Sequence, residues 1–139
     1  MYTGYYAKRS EYERLGYSCV SIATFAPEWY DGPEYKKISP GRKILSEWRN
    51  GPHRGDTDWY AEQFRNNILN NLAASCVVSD LEYIAGVPET SIVLMCYERP
   101  GDFCHRHLVA EWLSQNGYAC REVNLTVPFG DNPDGLELI

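Results

Sequence analysis

The chain has 139 residues, a length that suits one domain, and 44% hydrophobic with 14% aromatic content is enough for a real core. The 13 basic residues against 19 acidic ones leave a net charge of −6, which disfavours non-specific attraction to nucleic-acid backbones. No run approaches the ~18 apolar residues of a membrane span, and no secretory pattern opens the chain, so a cytoplasmic location is expected.

Tyr2 to Tyr6 is a short aromatic run suited to a first strand. Ser10 then caps a helical turn that reaches Leu15 and stops at Gly16. Tyr17 to Thr24, rich in β-branched and small apolar residues, reads as the second strand. Pro27 to Pro33 is a loop, and Trp29, Tyr30 and Tyr35 around it could line a pocket or pack over a sheet edge. Ser39-Pro40 sets a helix start and Gly51 a stop, with Ile44, Leu45 and Trp48 on one face. Asp56 or Thr57 opens the next helix, in which Tyr60, Phe64, Ile68 and Leu72 recur at helical spacing. Ser79 caps a short helix through Ile84, closed by Gly86.

Ile92 to Met95 is the third strand. Leu108, Val109, Trp112 and Leu113 form the buried face of the helix after it, and Arg121 to Val127 alternates as a fourth strand. Strands separated by helices argue for an α/β fold: a small three-layer, Rossmann-like domain with a mainly parallel sheet of about four strands. Residues 1–127 are expected to form that single domain, and 128–139 a loose acidic tail. Lys36, Lys37, Arg42 and Lys43 are the one basic cluster, which reads best as a solvated helix face.

The densest chemistry lies between the third strand and the following helix. Cys96 ends the strand, Glu98 follows, Pro100 and Gly101 make a loop, and Cys104-His105-Arg106 opens the helix. In open α/β sheets, ligands bind at such junctions beside the carboxyl ends of the strands. A helix N-terminus favours thiolate, which makes Cys104 a candidate nucleophile, although a small residue packing the turn would look the same. Cys96 is an equal contender for function and for structural burial. His105 can move protons near neutral pH. Arg106 offers a fork of donors for phosphate or carboxylate. Glu98 is expected on the same side as Cys96, either as a base or, in the favoured reading, holding Arg106 in place. Tyr5, Trp29 and Tyr30 complete the candidate substrate-binding set.

Several mechanisms find no support. Arg106 lies ten positions beyond Cys96, too far for a rhodanese-like or phosphatase loop, and no Gly-x-Gly-x-x-Gly or Walker loop is present. Cys96, Cys104 and His105 could ligate zinc, but there is no Cys-x-x-Cys pair and no fourth ligand nearby, so no metal or other cofactor is expected. The 5 cysteines, Cys19, Cys76, Cys96, Cys104 and Cys120, are odd in number and mostly in apolar stretches, which favours reduced thiols over a disulfide framework.

Cys96-Tyr97-Glu98, then Pro100-Gly101-Asp102-Phe103, then Cys104-His105-Arg106 resembles the signature of the bacterial and phage family called domain of unknown function 488. Ser21-Ile22-Ala23 with Pro27, Trp29 and Tyr30, then Glu34-Tyr35-Lys36-Lys37 and Ser39-Pro40, is similar to one branch of it, so the likeness covers roughly Thr3 to Trp112. That branch often carries an arginine and a glycine where Thr24 and Phe25 stand here, so an anion-binding arginine would have been lost or replaced. The resemblance implies no particular activity. The residues themselves suggest a hydrolase or group-transfer enzyme with a cysteine nucleophile, acting on a nucleotide or nucleotide-derived metabolite. The alternative is a non-catalytic module that binds a small phosphorylated ligand. Assembly into a homo-oligomer is left open.

Overall fold

A computed structural model of the chain describes residues 1–98 and 103–125. The four strands are β1 (Tyr2–Tyr5), β2 (Ser18–Ser21), β3 (Ile92–Cys96) and β4 (Arg121–Glu122). They form one parallel sheet in the order β2-β3-β1-β4. The five helices are α1 (Arg9–Arg14), α2 (Gly41–Asn50), α3 (Thr57–Asn67), α4 (Ala74–Ala85) and α5 (His105–Gln115). The expected α/β, Rossmann-like, three-layer architecture is what the chain adopts.

The alternation of β3 shows how the layers form. Ile92 and Leu94 join the larger core, with Phe64 of α3, Val77 and Leu81 of α4 and Val109 and Leu113 of α5. Val93 and Met95 join a smaller core with Tyr12 of α1, Tyr17 and Cys19. All five residues of β3 are buried, as expected for a central strand covered by helices on both faces. Gly4 in β1 is required by this packing, because a Cβ there would stand 2.5 Å from the Tyr12 ring.

The boundaries differ from the sequence pattern in three instructive places. Helix α4 begins at Ala74, ahead of the expected Ser79. Its N-cap, Ala73, has no side-chain oxygen to announce it, while Gly86 ends it in the left-handed conformation (φ 72°) as expected. Consequently Cys76 is exposed on α4 rather than set in apolar surroundings. Strand β2 ends at Ser21; Ile22 N–H still donates to the Met95 carbonyl of β3, and Ile22, Ala23 and Thr24 stay buried. Of the fourth strand Arg121–Glu122 is the described strand, with Val123 N–H donating to the Thr3 carbonyl just beyond it, and the expected tail from 128 onward lies outside the described residues. No helix among the described residues is long and apolar enough to cross a membrane.

Candidate active site

The site is built where β3 ends and α5 begins. Burial on both faces fixes β3, and its last residue delivers Cys96 at the carboxyl edge of the sheet. Cys104 is the N-cap of α5, with extended backbone (φ −153°, ψ 143°), one position ahead of the first turn where the sequence had placed it. Its side chain caps nothing and is turned inward, 4% exposed. His105 follows as the first helical residue and is also buried.

These three side chains meet. His105 Nδ1 lies 3.5 Å from Cys96 Sγ and 3.9 Å from Cys104 Sγ. The other ring nitrogen, Nε2, is 2.8 Å from the carbonyl oxygen of Ile22. A carbonyl can only accept, so Nε2 carries a hydrogen and Nδ1 faces the two sulfurs. The Phe64 ring meets the imidazole edge-on at 5.5 Å and holds its plane.

The two thiols respond to each other in opposite directions. Hydrogen bonding from Cys96 lowers the Cys104 pKa, and His105 adds to that, against the cost of burial. Cys96 is raised, because its proton is held against Cys104 and because it is buried. The pair thus gives up its first proton readily and its second with difficulty, with the charge resting on Cys104. Glu98 Oε2 sits 3.9 Å from Cys96 Sγ. Burial raises its pKa, and the negative charge of Cys104 raises it further.

A cavity of about 370 Å³ opens over this cluster. Cys96, Glu98, Cys104 and His105 line it at the carboxyl edge of the sheet, whereas Arg106, expected in the same crevice, does not. Its other walls come from the segment after β2 (Ala23, Thr24, Phe25), from α2 (Leu45, Trp48, Arg49), from Tyr60 of α3, and from Tyr97 and Phe103. Trp48, Tyr60 and Phe103 pack mutually, with centroids 4.9–5.6 Å apart, into an aromatic wall. The rim is tied down: Gly41 N–H donates to Thr24 Oγ1 at 2.9 Å, the Arg42 guanidinium lies over the Phe25 ring, and Tyr97 OH donates to the Phe25 carbonyl at 2.6 Å.

Arg106 is elsewhere. Its guanidinium is fully buried and makes a bidentate pair with Glu122 of β4, both bonds at 3.0 Å. Thr3 Oγ1 donates to the same carboxylate at 2.6 Å, and the Tyr5 ring lies 6.0 Å from the Arg106 guanidinium carbon. Burial, the largest single effect, opposes the charge on Arg106, but the Glu122 hydrogen bond together with electrostatic attraction to Cys104, Glu122 and Cys96 leaves its pKa raised. The expected pairing with Glu98 is therefore replaced by pairing with Glu122. An internal carboxylate takes the place of the expected external anion on two of its donors.

Tyr5, Trp29 and Tyr30 are not among the residues that line the cavity. Trp29 and Tyr30 pack on the Tyr6 ring, and Tyr30 OH donates to the Pro33 carbonyl. Tyr35 is buried, with its hydroxyl on Asp80. The aromatic loop covers the sheet edge, the second of the two roles its composition allowed. The basic cluster is likewise engaged locally: Lys36 pairs with Glu34, and Lys37 with Asp80.

The sequence did not reveal the cavity walls. Trp48 and Tyr60 carry helical spacing and read as core, which they partly are. Arg49, one position after Trp48 on α2, had no local motif to mark it. The one usable signal was that Trp48-Arg49 sits in the last turn of a helix that must lie over the sheet between β2 and β3.

No curated protein and no solved structure matches the chain. A family model described as the active DUF488-N3 subclade matches residues 7–117, which includes every residue of the Cys96–Glu98–Cys104–His105 cluster. The chain accordingly belongs to the DUF488 family, in the subclade DUF488-N3a.

Proposed function

We propose that this chain is a cytoplasmic hydrolase or group-transfer enzyme acting on a nucleotide or nucleotide-derived metabolite, with its reaction centre at Cys104 and His105. The observation that carries this reading is the fixed imidazole. With Nε2–H committed to Ile22, only Nδ1 can exchange protons, and it faces both sulfurs on the cavity floor. A nucleophile, a base in reach and a third group orienting the base is the arrangement of covalent catalysis. In the metal-free chain, the Cys104 sulfur attacks the electrophilic atom of the substrate, and His105 passes the thiol proton to the departing group. For hydrolysis, water then adds to the S-bound intermediate, His105 takes its proton, and the thiolate leaves. Cys96 donates its S–H to that thiolate and keeps it poised.

The cavity also favours a flat ligand with a negative group. Trp48, Tyr60 and Phe103 offer an aromatic wall against which a base ring can pack. Arg49 is the arginine in the lining, and we assign it the anion contact. The description of the subclade as active agrees with a catalytic role.

The test is to identify small molecules released from the purified protein by mass spectrometry, then to follow turnover of those compounds and of a nucleotide panel. Consumption that disappears in Cys104→Ser and His105→Ala supports the enzyme. A compound returned unchanged after denaturation, with no turnover of the panel, would establish the binding module instead.

A further inference from the structure

We infer that Cys96, Cys104 and His105 form a zinc-binding site with three protein ligands, open to the cavity. The sequence argued against zinc because it shows no Cys-x-x-Cys pair and no fourth ligand. The fold removes both objections. The strand end and the helix cap bring together ligands separated by the 99–102 segment, and a three-ligand site does not need a fourth residue.

The two nitrogen–sulfur distances are close to those the ion needs, and the two sulfurs stand within 4.8 Å of each other. With Zn–S of about 2.3 Å and Zn–N of about 2.0–2.1 Å, tetrahedral angles put sulfur and nitrogen about 3.5–3.6 Å apart, and two sulfurs about 3.8 Å apart. The chain holds Nδ1 at 3.5 and 3.9 Å from the two sulfurs, and all three donor atoms lie within 4.8 Å of one another. Ligand chemistry agrees: two thiolates and an imidazole select zinc over the oxygen-seeking cations. The outer support is present as well. A histidine that binds zinc through one nitrogen usually donates from the other to a carbonyl or carboxylate, and His105 donates to Ile22. All three ligands are buried.

The count of ligands decides the kind of site. Structural zinc is normally held by four protein ligands, whereas catalytic zinc has three and leaves a position for water or substrate. Here the remaining side is the cavity, with Glu98 beside Cys96. The inference rests on the reading of this cavity as the reaction centre and changes its attacking group. With zinc bound, both thiolates are ligands, and the species presented to substrate is zinc-held water.

The test uses the full chain, purified without chelator under reducing conditions. Elemental analysis after dialysis should find zinc in equimolar amount, and cobalt exchanged into the protein should show the near-ultraviolet thiolate charge-transfer absorption and the intense visible bands of tetrahedral coordination. Cys104→Ser and His105→Ala should lose the equimolar metal, while Cys76→Ser, on the exposed face of α4, should keep it. The cobalt spectrum of the unaltered chain stands as an independent reading that does not depend on a ligand variant folding. Absence of bound zinc together with featureless cobalt spectra would overturn the site. Turnover that resists chelation but is abolished by Cys104→Ser would leave the enzyme standing and remove the metal. Stoichiometric zinc with no turnover of any nucleotide would do the reverse.

Discussion

His105 Nε2–H donates to the backbone carbonyl of Ile22 across 83 positions of the chain, so the end of β2 dictates which imidazole nitrogen faces the cysteines. His105→Ala should therefore have two separable effects. In the metal-free chain, loss of a positioned proton carrier should slow turnover about 10²–10⁴-fold. The orphaned carbonyl should cost about 1–3 kcal/mol of stability. Single-turnover kinetics and denaturant unfolding on the same preparation measure both.

Arg106→Ala should destabilise the fold by about 3 kcal/mol, the lower end for a broken buried ion pair, since Glu122 retains 21% side-chain exposure. Arg106→Lys should recover only part of that, because an ammonium cannot make the bidentate contact. Ligand affinity per folded molecule should stay unchanged. Calorimetric binding at a temperature where the variant remains folded checks it, and a large loss of affinity would return the anion site to Arg106.

Arg49→Ala should behave in the opposite way. It should weaken binding of a phosphorylated ligand by about 1.5–3 kcal/mol, the typical worth of a hydrogen bond to a charged group. Stability should move by no more than about 0.5 kcal/mol, as for most surface substitutions. Titration calorimetry beside thermal unfolding distinguishes it from Arg106.

Thiol labelling after chelation should rank Cys104 ahead of Cys19 and Cys120. Burial pushes both of the latter up to about 12, whereas hydrogen bonding from Cys96 and His105 lowers Cys104. Peptide mapping after brief iodoacetamide treatment reads the order, and added zinc should protect Cys96 and Cys104 selectively.

Stability should fall in alkali. Cys19 is raised from 9.0 to about 12, and Tyr12 from 10.0 to about 12, mainly by burial. Each binds its proton more tightly folded than unfolded, so its contribution is complete below its unfolded value and lost as pH rises towards 12. Urea unfolding at several pH values from 8 to about 11 should show decreasing stability, with a shallower slope in Cys19→Ala.

Legibility followed the physics of each element. β3 was readable because a strand covered on both faces must be continuously apolar, and the polar residues after it stood out by contrast. Cys96, Glu98, Cys104 and His105 were singled out for that reason. Helix α4 was misplaced because Ala73 carries no capping oxygen and Ser79, inside the helix, does. The partner of Arg106 was unreadable, since Glu122 belongs to an edge strand whose register only tertiary packing sets. Trp48, Arg49 and Tyr60 escaped for a similar reason. Helical periodicity identifies a buried face, but it cannot say where that face stops meeting the core and starts bordering a void.

The cavity is made by two parts of the chain with separate supports. The reacting cluster stands on β3 and the start of α5, whose next residue, Arg106, is fastened to Glu122 on the far edge of the sheet. Much of the opposing wall stands on α2 and α3, in the long excursion between β2 and β3. Substitutions in that excursion can reshape what the pocket admits without shifting the sulfur and imidazole atoms. Relatives with the same cysteines and histidine can thus diverge widely in ligand while sharing one chemistry, and laboratory selection for a new ligand would do best to randomise α2 and α3.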